Sequence, residues 1–228
     1  MIELLKLDFL AHYGLRRSGI VVLGETTSDE HFDLIDKKDS SIIVAYRNGN
    51  VSFDHANQTE IEVINYESFL NGLTGTAFER GRKRCDFIMY EKGGAGDSFF
   101  LLNEQTSSSG STVNLSKPIL KDKKIVFPGG KYEKVEAQLV ETLRTLNAVS
   151  SIASFINKYQ LKIALMSYEI LSPDAATTSS AIKAFTMRYK QIESRETGEN
   201  GAILEQLDLN AQGFEYRRIS HNYSFKLS

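Results

Sequence analysis

The chain has 228 residues, 41% of them hydrophobic and 25% charged, which is ordinary globular usage and enough for one elaborated domain with a real core. Its 27 Lys+Arg against 29 Asp+Glu leave a formal net charge of −2, which argues against a strongly basic nucleic-acid-coating protein but not against a local basic groove. Cys85 is the sole cysteine, so an intrachain disulfide and a cysteine-built zinc site are both excluded.

The opening segment, residues 1–17, has no basic start, long apolar block or small-residue cleavage site. No apolar run approaches membrane-spanning length. A cytoplasmic protein with no membrane partner is the expectation. Residues 1–65 read as a β-rich region. Ile20–Leu23 is a short apolar strand candidate, and Ser41–Arg47 and Val51–His55 flank an Asn48-Gly49 pair suited to a tight hairpin. Glu60–Asn65 alternates polar and apolar residues as a half-buried strand does. Asp54 and His55 read as strand-end surface residues.

Tyr66–Arg80 has the spacing of a helix, with Phe69, Leu70, Leu73, Ala77 and Phe78 near one face. Gly72 and Gly75 each weaken it by about 1 kcal/mol relative to alanine. A basic turn, Arg80-Gly81-Arg82-Lys83-Arg84, leads into two strand candidates, Cys85–Tyr90 and Ser98–Thr106, joined by a glycine-rich connection. The serine-rich stretch from Ser107 reads as a polar loop, and Lys124–Phe127 as a short strand. Glu133–Tyr159 carries the strongest helical periodicity, with a longer step across Val149. Leu161–Leu171 is apolar on both faces, as a central strand is. A helix is predicted over Ala181–Arg188, a solvated loop follows it, and late strands are predicted at Gly213–Ile219 and Tyr223–Leu227. Residues 66–171 thus form an α/β core, and 172–228 an extension packed on the same domain.

Within that core, Asp86 stands at the start of one predicted strand and Glu104 near the end of the next. If the two strands pair antiparallel, the acids become neighbours at one end of the sheet. Facing carboxylates repel, so the arrangement calls for a proton or a cation between them. Hard oxygen ligands favour Mg²⁺ or Mn²⁺.

The pattern RKRCDFIMY…FFLLNEQT followed by VEAQLVETLRTL resembles the core of the PD-(D/E)XK nuclease superfamily: a helix, an acid-bearing strand pair, a second helix and a further strand. The resemblance covers residues 66–171. It implies a restriction-endonuclease-like fold with a central mixed sheet flanked by helices, and Mg²⁺- or Mn²⁺-dependent hydrolysis of DNA or RNA phosphodiesters. Asp86 matches the first acid, with Cys85 where a proline often stands, and Glu104 matches the second. Glu79 fits the auxiliary acid of the preceding helix, making Glu79, Asp86 and Glu104 the implied metal ligands, and Gln138 matches a glutamine of the second helix. The family lysine two residues beyond the second acid is here Thr106, so its role would pass to Lys131, Lys134 or Lys162. The alternative is a catalytically inactive nuclease-fold subunit that binds nucleic acid, another protein or a second copy of itself.

Arg80, Arg82, Lys83 and Arg84 are either a solvated turn or a set of phosphate contacts beside the metal. Arg217 and Arg218, with Tyr216 and His221, are a second basic group that an edge strand explains equally well. The four histidines lack any metal-binding spacing.

Overall fold

In the computed structural model, residues 1–16, 19–36, 41–79, 84–93, 98–109, 119–121, 124–126, 131–171 and 200–227 are described; at 107–109, 119–121, 124–126, 131–132 and 169–171 the description is of backbone alone. The chain begins with a helical stretch in which α1 (Ile2–Leu4) and α2 (Leu10–His12) flank π-helical Leu5–Phe9. The N-terminal strands are β1 (Gly24–Thr27), β2 (His31–Leu34), β3 (Ile43–Ala45), β4 (Val51–Asp54) and β5 (Ile61–Asn65). Next come α3 (Tyr66–Asn71), β6 (Phe87–Glu91), β7 (Phe99–Ser109), β8 (Ile119–Lys121), β9 (Lys124–Val126), α4 (Lys131–Asn147), α5 (Ser150–Ile156) and β10 (Leu161–Leu171). The last strands are β11 (Ala202–Leu204), β12 (Glu215–Ser220) and β13 (Ser224–Lys226).

Side-chain alternation along β6 sets the layering. Ile88 and Tyr90 enter one apolar cluster, together with Phe100 and Leu102 of β7, Leu139 and Leu143 of α4, and Phe9 and Phe69. Phe87 and Met89 enter the other, with Phe99 and Leu101 of β7 and Phe32, Val51, Phe53 and Phe225 of a smaller sheet. A period of two therefore gives the large sheet a helix-covered face and a sheet-covered face. Its order is β1-β5-β6-β7-β10-β12-β11, and the smaller sheet runs β13-β4-β2-β3. The protein is thus mixed α/β with a large mixed sheet. Residues before 66, between 66 and 171, and after 200 all supply strands to it.

The pairs β5/β6 and β6/β7 are antiparallel, whereas β10 lies parallel to both β7 and β12. The chain crosses from β7 to β10 through α4 and α5, which pack on the helix-covered face. Among the described residues no helix is long and apolar enough to cross a membrane.

Several sequence expectations need revision. Asn48-Gly49 does not close a β3/β4 hairpin, because β2 lies between those strands. The turn instead crosses the end of β2, where Gly49 N–H donates to Asp33 Oδ2 at 2.8 Å and Asn50 N–H to Leu34 O at 2.8 Å. The first strand forms at Gly24–Thr27 rather than Ile20–Leu23, whose Val21 and Leu23 side chains are exposed. The helix at Tyr66 stops at Asn71: Gly72 caps it and Gly75 takes a positive φ of 74°, which glycine adopts freely. β7 continues through Ser109, into the stretch that reads as a loop, because β10 pairs with it along its whole length. The long helical stretch breaks where Val149 turns extended and begins α5. His55 is buried, bonded through Nε2 to Thr59 Oγ1 and edge-on to Phe99, instead of lying on the surface. The helix predicted at Ala181–Arg188 lies outside the described residues.

Candidate functional site

Phe87 opposite Asn103 is the last pair of the β6/β7 ladder, and just beyond it Asp86 N–H donates to Asn103 O at 3.1 Å, one residue out of that register. The next residues outward are Asp86 and Glu104. By the period of two they share the helix-covered face with Ile88 and Leu102. The two strands pair antiparallel as expected, and both acids fall just beyond the same end of that pairing. Both are buried, at 7% and 5% exposure.

Each acid is held on one oxygen. Gln105 N–H donates to Asp86 Oδ2 at 2.6 Å, and Gln138 Nε2 donates to Glu104 Oε1 at 2.6 Å. The same Gln138 Nε2 also donates to Arg84 O at 2.9 Å, which ties α4 to the residue just before the strand. Glu104 Oε2 and Gln138 Oε1 are buried and have no partner among the described residues.

Burial is the main reason that both acids hold their protons far above the usual carboxylate range, Asp86 to about 8 and Glu104 to about 10. The Gln105 N–H draws Asp86 back down, while the charges of Asp36 and Glu67 push it up. Glu104 is pushed up further by Asp86 and Glu67 and eased by its bond from Gln138. The charge of Lys134, near the start of α4, opposes the rise at both acids.

Two further carboxylates complete the group. Oxygens of Asp36, Glu67 and Asp86 all lie within 4.8 Å of one another. Glu67 is set by the start of α3. Asn65 Oδ1 caps Ser68 N–H at 2.8 Å, and Asp86 O accepts from Tyr66 N–H at 2.9 Å and Glu67 N–H at 3.2 Å. The backbone of the first acid thus caps the helix that presents Glu67. Asp36 follows the end of β2 and arrives from the smaller sheet.

The remaining candidates divide. Glu79 accepts from Gly75 N–H at 2.6 Å and closes a local turn; the third carboxylate beside Asp86 is Glu67 instead. Arg84 has an 11% exposed side chain that donates to Phe78 O at 2.5 Å and Asn71 Oδ1 at 2.6 Å, and its Nε lies 3.6 Å from Glu67 Oε1. It braces the turn and orients Glu67, so its guanidinium is already committed within the fold. Arg80, Arg82 and Lys83 lie outside the described residues, and Lys131 begins α4 with its side chain likewise undescribed. Lys162 pairs in register with Phe100, four residues before Glu104, and donates to Asn157 Oδ1 at 3.3 Å, away from the acids. Cys85 is buried; burial pushes its thiol well above the ordinary range, so it is no nucleophile. Arg217 is paired with Glu215 at 2.6 Å and lies over the Phe225 ring.

No family model, curated protein or solved structure matches the chain. The site therefore rests on its own chemistry. Its donors are hard carboxylate oxygens: those of Asp36, Glu67 and Asp86 lie close enough together to hold a metal ion, and Glu104 Oε2 is buried and unpartnered among the described residues. Sequence reasoning missed Asp36 and Glu67. A reading of Asn65 as the N-cap would have placed Glu67 in the first helical turn beside the strand ends. Asp36 carries no local signal, because only the stacking of the two sheets brings it in.

Proposed function

We propose that this chain is a divalent-metal-dependent nuclease of the PD-(D/E)XK type, with DNA ahead of RNA as its substrate. The observation that carries the proposal is the buried pair Asp86 and Glu104, both just beyond the same end of an antiparallel strand pair that follows α3 and precedes α4 and the parallel strand β10. Helix, acid-bearing strand pair, helix and strand is the order that the resemblance implies.

Asp86 and Glu104 would hold Mg²⁺ or Mn²⁺. When bound, the ion supplies a more acidic water and positive charge to offset that of a phosphodiester in attack. The protein's own part is positional. Gln138 holds Glu104 Oε1, leaving Oε2 free to bind, and Gln105 N–H fixes Asp86 Oδ2. Lys134, whose charge is the smallest of the named influences on both acids, would stand in only in part for the lysine that Thr106 replaces. Lys131, one turn earlier on α4, is a second lysine at this end of the helix.

The test is Mg²⁺- or Mn²⁺-dependent cleavage of plasmid DNA, single-stranded DNA and RNA. Asp86→Asn and Glu104→Gln should each abolish it. A wild-type protein inactive on all three substrates with either metal would sink the proposal.

Thr106 favours a second reading, in which the fold serves as a non-catalytic module for nucleic acid or a protein partner. It requires partner binding to survive Asp86→Ala unchanged. Loss of tight Mn²⁺ binding in that variant counts against it.

A further inference from the structure

We propose that His55 is a pH-sensitive latch between the two sheets. Neutral, it closes the crossover that carries the chain from the smaller sheet to the large one; protonated, it loosens the smaller sheet from the large one.

The period of two along β4 places the ring. Val51 and Phe53 enter the apolar layer between the sheets, and His55, two residues further on, extends that row past the end of the strand. The residue is fully buried, with its ring edge-on to Phe99 of β7 at 6.5 Å between centroids. His55 N–H donates to Glu30 O at 2.7 Å, its carbonyl accepts from Gln58 N–H at 3.3 Å, and Nε2 lies 3.0 Å from Thr59 Oγ1. These bonds close residues 55–59 around the imidazole just before β5 enters the large sheet.

The second ring nitrogen makes this closure sensitive to protons. Nδ1 is buried and has no partner among the described residues. A neutral ring tolerates that, with Nδ1 the bare acceptor while Nε2–H donates to Thr59. An imidazolium carries a proton on both nitrogens, so Nδ1–H becomes a buried donor without an acceptor and a charge is placed beside Phe99. Burial accordingly weakens the hold of His55 on a proton, and the charge of Glu91, at the end of β6, opposes that effect. The other charged groups around the crossover face one another. Asp54 lies 2.9 Å from His31 and opposite Lys226 in register, Glu30 lies 3.7 Å from His31, and Glu60 lies 2.7 Å from Lys92.

A histidine in the unfolded chain ionises near pH 6.5, so the contribution of His55 is held above about that pH and lost as pH falls below it. Asp86 and Glu104 act with the opposite sign over the same interval, because they hold their protons when folded. The test therefore reads the smaller sheet locally and compares wild type with a variant that cannot titrate.

The experiment is hydrogen–deuterium exchange of the full chain at about pH 7.5 and about pH 5, corrected for intrinsic exchange rates, in wild type and His55→Gln. At the lower pH, β2 and β4 of wild type should exchange about tenfold faster or more, and those of His55→Gln should exchange equally at both. Equal exchange in wild type at the two pH values, or the same acceleration in His55→Gln, overturns the proposal. Where circular dichroism shows His55→Gln to be unfolded, the wild-type ring signal decides, followed by nuclear magnetic resonance and assigned by substituting His12, His31 and His221 in turn. An exchange midpoint that coincides with the His55 titration upholds the proposal, and one that does not overturns it.

Discussion

Replacing Gln138 by alanine removes one amide that serves two acceptors, Glu104 Oε1 at 2.6 Å and Arg84 O at 2.9 Å. Each lost bond costs about 1 kcal/mol, and acceptors left buried without a donor add about 1 kcal/mol or more. Helix propensity returns only a few tenths, because glutamine is already a good helix former. The net loss should be about 2–4 kcal/mol, which at this chain length lowers the urea midpoint by roughly 1 M. Gln138 also eases the proton affinity of Glu104, so its removal strengthens the proton against the cation. Two measurements follow: urea unfolding in chelator at neutral pH, and Mn²⁺ affinity of the same variant. A Gln138→Ala protein within about 0.5 kcal/mol of wild type, with unchanged Mn²⁺ affinity, refutes the assigned role.

Other outcomes follow from the same geometry. In the unfolded chain Asp and Glu ionise near pH 4, whereas folded Asp86 and Glu104 keep their protons to about 8 and about 10. The folded state binds more protons in that interval, so metal-free stability should fall as pH rises from about 4 towards 8 to 10. Urea midpoints in chelator should show that slope, and Asp86→Asn/Glu104→Gln should flatten it. Gly49→Ala should cost about 1–3 kcal/mol by calorimetry, because its Cβ would stand 2.5 Å from Asp33 Cβ and 2.6 Å from Leu34 O. An unchanged melting temperature contradicts that packing. Thr106→Lys puts an ammonium on the face of Glu104 and should raise the cleavage rate by about tenfold or more; an unchanged rate contradicts the view that missing charge limits the reaction.

The acid-bearing strand pair was legible because its determinants are local. Two runs of apolar residues joined by glycines specify β6 and β7, and an antiparallel turn leaves their outer ends together. β10 matches its predicted bounds, Leu161–Leu171, since apolar residues on both faces mark a strand covered on both sides. The Asn48-Gly49 turn misled because a turn signal cannot say whether another strand lies between its arms. The intervening strand, His31–Leu34, is four residues long and half polar. Glu79 was favoured over Glu67 by carrying the helix on to Arg80, whereas it ends at Asn71 and Gly75 beyond it takes a positive φ. Asp36 could not be found at all, for its place depends on how two sheets stack.

The central claim is that a divalent cation sits between Asp86 and Glu104. A crystal soaked in Mn²⁺, with data collected at the manganese absorption edge, tests it most directly. The account predicts an anomalous peak about 2.1–2.3 Å from a carboxylate oxygen of each residue, including Glu104 Oε2. No peak there, with the two acids joined instead by a shared proton, would contradict it.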